Sequence, residues 1–154
     1  MLVQALIGLL LLVQAPAGPE RFFVGATEGS GTVSVIMSGR HGFRVRSRGR
    51  MERGGALVIE QRVEEEGKRP RVRTWRLVRS GANAITGTLS DARGPVTGEV
   101  EGRVIRLRYR LAEGPSVDQR ITVHPSGRSA HNRMTIRRFG LTVATVEETI
   151  RRTD

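Results

Sequence analysis

Two features of this sequence have the residue types and spacing to do chemistry: rows of arginine at alternate positions, and a lone tryptophan flanked by arginines. Arg44, Arg46, Arg48 and Arg50 share one parity, as do Arg106, Arg108 and Arg110, with Arg71 and Arg73 on a third segment. In an extended chain, same-face neighbours stand about 6.6 Å apart, so each row is a line of like charge. Such a line attracts anionic lipid or lipopolysaccharide phosphate at a membrane surface, unless Glu60, Glu64, Glu99 and Glu101 interleave with it. Of the 26 basic residues only Lys68 is lysine, a bias that codon usage in a G+C-rich genome also produces. Trp75 lies in Arg71-Val72-Arg73-Thr74-Trp75, where an inward Trp75 forces Arg71 and Arg73 inward too unless the chain bulges. Trp75 reads as a core residue sealing one end of the fold; the alternative is an inward Arg73 that receives a ligand carboxylate at the bottom of an apolar cavity.

Other constellations are weaker. Gly25 to Thr32 superficially suggests a phosphate cradle, but a cradle needs four residues between its glycines where this run has three, and no lysine follows, so it reads as a turn entering the first strand. With a two-residue loop at Gly127-Arg128, His124 falls opposite His131, a pair short of the three or four ligands zinc wants. These two read as solvated imidazoles on a surface hairpin, His41 is the one other histidine, and no metal or cofactor is expected. Glu64-Glu65-Glu66 before a Gly-Lys-Arg-Pro turn reads as a hairpin tip, and no nucleophile–base spacing is present, so the chain is not expected to be an enzyme.

The elements that must position these residues are strands. The chain has 154 residues and a formal charge of +11, enough for one core. It contains no cysteine, which excludes disulfides, thiolate nucleophiles and cysteine-based zinc sites. Aromatics make up 4% of it, too few for the stacking surface of a single-strand nucleic-acid binder. From Gly31 onward the apolar period is two: Val33, Val35 and Met37; Phe43 and Val45; Leu57, Ile59 and Val63; Ile105, Leu107, Tyr109 and Leu111; Val117, Ile121 and Val123; Ala130, Met134 and Ile136. Turn signals separate the runs at Ser38-Gly39, Gly54-Gly55, Gly67 to Pro70, Ser80 to Asn83, Arg93-Gly94-Pro95, Gly114-Pro115 and Ser126-Gly127. A parity change between Val143 and Val146 predicts a bulge in the last strand. Eight to ten strands with one apolar face predict an all-β, antiparallel up-and-down barrel, with a β-sandwich as the alternative. Phe43, Leu57, Ile59, Arg73, Trp75, Ile105, Leu107, Tyr109 and Met134 are the candidate interior, able to take a lipid or other small apolar ligand. Arg44, Arg46, Arg48, Arg106, Arg108 and Arg110 are the candidate outer contacts to an anionic surface. The oligomeric state is open.

Met1 to Val13 is uncharged and too short to cross a bilayer core, and Ala15-Pro16-Ala17 follows. This predicts a signal peptide cut after Ala17 and a periplasmic or envelope protein; an uncleaved apolar anchor is the alternative. Residues 18–154 then form the single domain.

The ordered series Phe23-x-Gly25, Gly29-x-Gly31, Phe43-x-Val45, Leu57-x-x-Glu60, Arg73-x-Trp75, Thr86-Gly87, Asp91-x-x-Gly94-x-x-x-Gly98-x-x-x-Gly102, Tyr109-x-Leu111, Asn132-Arg133 and Phe139-Gly140 resembles a bacterial envelope family, the domain of unknown function numbered 3833. The resemblance spans nearly all of the predicted mature chain and implies a lipocalin-like barrel with an export signal, without catalytic residues. The acidic, tryptophan-containing stretch the family implies near Val117 to Val123 is replaced here by Asp118-Gln119-Arg120.

Overall fold

The computed structural model describes residues 18–154; the segment expected to be a signal peptide, residues 1–17, lies outside them. A short 3-10 helix, η1 (Pro19–Phe23), precedes ten strands: β1 (Gly25–Val35), β2 (Gly39–Met51), β3 (Leu57–Glu65), β4 (Arg71–Arg79), β5 (Ala84–Leu89), β6 (Ala92–Glu101), β7 (Val104–Leu111), β8 (Ser116–Val123), β9 (Ser129–Arg138) and β10 (Leu141–Arg152). Each strand pairs antiparallel with its sequence neighbours, and β1 pairs with β10 to close the barrel. Closure buries the dry face that the period of two creates and leaves no exposed sheet edge.

Three local expectations are corrected. The glycine-rich run from Gly25 to Thr32 is β1 itself, not a turn before it. Gly94-Pro95 does not separate strands: it is an irregularity inside β6, where the register to β7 shifts between Arg93 and Thr97. Pro95 has no N–H for the ladder and Gly94 adopts φ 76°, so the two together make a bulge, and the turn falls earlier, at Ser90-Asp91. The β8–β9 loop is longer than two residues, so His131 faces Thr122 instead of His124, whose ring turns back onto Ser126. The expected irregularity in β10 is present, between Thr142 and Ala144.

The two barrel ends differ. At one end η1 forms a plug: Phe22 and Phe23 are buried edge to face at 5.1 Å, and the Arg152 guanidinium donates to the carbonyls of Phe22 and Val24. Arg79 binds both carboxylate oxygens of Glu20, at 2.6 and 3.1 Å, and ties the plug to β4. Towards the other end, exposure along the inner face rises. On β4, Leu77 and Trp75 are buried, Arg73 is half-buried and Arg71 is exposed. On β9, Ala130 and Asn132 are buried, whereas Met134 and Ile136 are half-buried. The lumen is therefore a cup, closed and apolar at the plug and open at the β9–β10 turn.

Candidate functional site

Half-way up the cup the inner face turns polar. Four inner rows each place one polar residue at this height: Gln61 between Ile59 and Val63, Gln119 between Val117 and Ile121, Asn132 beside Ala130, and Glu148 between Val146 and Ile150. Arg73 joins them because β3 and β4 pair without a register shift, so Arg71, Arg73 and Trp75 share the inner parity. Trp75 is thus both a core side chain and the floor beneath an inward arginine.

The belt is held by specific hydrogen bonds. Arg73 Nε and Trp75 Nε1 both donate to Gln61 Oε1, at 2.8 and 2.7 Å. The Arg73 guanidinium carbon lies 5.6 Å from the Trp75 ring centre, a cation–π distance. Trp75 packs edge to face on Tyr109 at 5.3 Å, and Tyr109 donates to Gln119 Oε1 at 2.9 Å. Across the lumen, Asn132 Nδ2 donates to Glu148 Oε1 at 2.8 Å, while the buried Asn132 Oδ1 has no partner among the described residues. The bond to Gln61 is the one hydrogen bond of the Arg73 guanidinium among those residues, leaving its terminal nitrogens for another acceptor.

Burial pushes the Glu148 carboxyl above its ordinary value, opposed by the Asn132 amide and the charges of Arg73 and His131. Burial likewise pushes the Tyr109 hydroxyl up, so it stays a donor. A carboxyl whose pKa is raised by folding adds stability at low pH that is lost as pH rises through the folded value. Glu148→Gln, which keeps the acceptor for Asn132 and cannot ionise, is expected to match the parent in acid and to exceed it increasingly towards neutral pH. Thermal melts of both proteins across that range check this.

A cavity of about 40 Å³, counted as space open to a water's centre, lies between these side chains. That is room for roughly three waters, or for one carboxylate. Of the candidate interior residues, Leu57, Ile59, Arg73, Trp75, Ile105 and Leu107 line it, together with Gln61, Gln119, Asn132 and Glu148. Tyr109 stands behind Trp75, buried. Met134 is half-buried against the core, nearer the open end. Phe43 keeps the inward parity but sits apart, half-buried, on an open depression lined also by Gly31, Glu65 and Lys68; the shallower, solvent-exposed end of β2 accounts for the difference.

The sequence model for "Protein of unknown function (DUF3833)" matches residues 14–152, nearly the whole chain. The chain belongs to the DUF3833 family. Comparison with curated proteins finds no match. Among solved structures, the chain is similar to the S-type phycobiliprotein lyase CPES from Guillardia theta, at 10% identity and a TM-score of 0.71, covering 91% of this chain and 95% of that one. It is similar to Rv2717c from M. tuberculosis at 14% identity and a TM-score of 0.68, covering 86% and 94%. A third similar structure is EF1p2_mFAP2b bound to DFHBI, at 10% identity and a TM-score of 0.50, covering 88% and 97%. At these identities the likeness shows the fold: this DUF3833 member is a lipocalin-like barrel.

The arginine rows lie on the outer wall, and carboxylates interleave with much of them. Arg46 pairs with Glu28 at 3.7 Å, Arg50 with Glu60 at 3.6 Å and Arg108 with Glu99 at 2.5 Å. Arg44 and Arg48 face Glu64 and Glu60 across β2–β3. Arg110 donates to the Gly114 carbonyl. Arg106 faces Glu99 on one side and Arg120 on the other, and Arg120 faces Arg133, so three like charges cross β7, β8 and β9 between Glu99 and the Glu147 that pairs with Arg133. The histidines are separated: His41 bonds Glu65 and His131 bonds Glu147, each at 2.6 Å. Among the described residues there is no group of three or more metal-ligating side chains.

Proposed function

We propose that this protein is a non-catalytic binding barrel that receives the acid group of a small amphipathic molecule on Arg73, with the apolar part lying towards the open end. The observation that carries this reading is Arg73 itself. A guanidinium on the inner wall of a barrel, half-buried, lining a carboxylate-sized cavity and hydrogen-bonded to a single glutamine oxygen, keeps its terminal N–H groups for an acid, beside a Glu148 carboxyl that burial pushes above its ordinary value. Asn132 Oδ1 offers a buried acceptor on the opposite wall, suited to a hydroxyl or N–H on the same ligand. The cavity takes only the head; Met134 and Ile136, half-buried above it, flank the remainder.

The similar structures support binding in general. One is bound to DFHBI and another is named a lyase, each a statement about that protein. The belt sets an arginine, three side-chain amides and a carboxyl around the cavity, groups that orient and neutralise an acid, so the reading is binding. Export to the periplasm or envelope, with cleavage after Ala17, belongs to the same proposal.

Native mass spectrometry of the protein recovered from its own cell envelope tests it. The expected spectrum shows a chain beginning at Gly18 with a bound species of a few hundred daltons that ionises as an acid after extraction. A bound species without an acid group contradicts the Arg73 reading, and a chain that retains Met1 contradicts the cleavage.

A further inference from the structure

At the open end of the cup, two hairpin tips stand side by side. Val35 faces Ala144 across β1 and β10, and the Ile36 N–H donates to the Val143 carbonyl, so the β1–β2 turn and the β9–β10 turn are adjacent. Both tips carry large apolar side chains in full solvent: Met37 is 99% exposed and Phe139 94%, with Ile36 and Leu141 also largely exposed. Met37 and Phe139 also hold left-handed backbone, at φ 64° and 53°, positions where hairpins normally place glycine or asparagine. The chain thus accepts a backbone cost and a hydration cost at the same two residues.

We propose that these paired tips are a membrane-docking edge, with Ile36, Met37, Phe139 and Leu141 inserting into the surface of an anionic bilayer. The charges beside them fit that occupant. Arg40 bonds only the Ser34 hydroxyl, and Arg138 only the Glu113 carbonyl, among the described residues, leaving both guanidiniums free for phosphate. Arg137 is held by Asp118, and Glu66 accepts from the Gly42 N–H, so those two carboxylates are occupied. The edge stands independently of Arg73, although it turns the open end of the cup towards the lipid.

Met37→Asn combined with Phe139→Asn removes the apolar tips and places at both sites a residue that tolerates left-handed backbone. The double variant is expected to melt no lower than the parent. In flotation with vesicles of mixed phosphatidylcholine and phosphatidylglycerol, it is expected to bind at least tenfold more weakly. Val72→Asn, which removes an exposed apolar side chain from the outer wall of β4, is expected to bind as the parent does. Equal binding by parent and double variant overturns the proposal, as does equal loss in the Val72 variant. A parent that sediments as a dimer which the double variant dissociates overturns it too, by assigning the tips to a second copy of the chain.

Discussion

Replacing Trp75 by alanine is expected to destabilise the barrel by about 3–5 kcal/mol, a large share of the margin available to a domain of this size. The side chain is 3% exposed and is the only tryptophan in the chain. Its loss removes the edge-to-face contact with Tyr109, the hydrogen bond to Gln61 and the surface beneath the Arg73 guanidinium. The void would merge with the existing cavity, so the surrounding walls, anchored in ten paired strands, cannot collapse to fill it. Urea unfolding followed by far-ultraviolet circular dichroism measures the cost. A midpoint close to the parent's would mean that Trp75 is not packed as described.

The second large effect is expected at Gly31. A Cβ there would lie 1.8 Å from the Glu147 carbonyl oxygen and 2.8 Å from Glu148 Cα. Both are backbone atoms of β10, the strand that closes the barrel on β1, and backbone cannot step aside as a flexible side chain can. Gly31→Ala is therefore expected to cost about 3 kcal/mol or more by forcing the seam apart. It also shifts Glu148, which stands on the polar belt. Gly54→Ala, where an added Cβ meets nothing, is the control and is expected to melt with the parent. Thermal unfolding compares the three; a Gly31 variant as stable as the control would show that the seam has slack.

The barrel was legible because its strands alternate so regularly. Ile105, Leu107 and Tyr109 against Arg106, Arg108 and Arg110 read as a strand with one dry face, and these three apolar residues are buried while the three arginines are exposed. The choice of barrel over sandwich rests on the number of such strands. Turns were less legible: Gly94-Pro95 has the composition of a turn and the structure of a bulge, because a glycine–proline pair breaks a ladder equally well inside a strand and between strands. The histidine hairpin failed for a related reason, since loop length sets register and one assumed loop displaced His131 by two positions. In the candidate site, the apolar lining and Arg73 follow from parity. Gln61, Gln119, Asn132 and Glu148 also left a signal, as polar residues on apolar parities. That signal acquires meaning only when the strand register shows that they meet at one height, and register between non-neighbouring strands is not written in local sequence. The interleaving of Glu28, Glu60 and Glu99 with the arginine rows depends on the same registers.

The central claim is that Arg73 holds an acid inside the cup, and the most direct measurement is a titration followed by the emission of the lone tryptophan, which touches that guanidinium. A medium-chain fatty acid and the alcohol of equal length serve as the two ligands, with the parent and Arg73→Gln as the two proteins. The account predicts saturable quenching or enhancement of Trp75 emission by the acid in the parent. It predicts roughly ten- to hundredfold weaker binding of the acid by Arg73→Gln, the range of a charge-assisted hydrogen bond, and weak binding of the alcohol by both. Equal affinity of the parent for acid and alcohol, or of the two proteins for the acid, would contradict it.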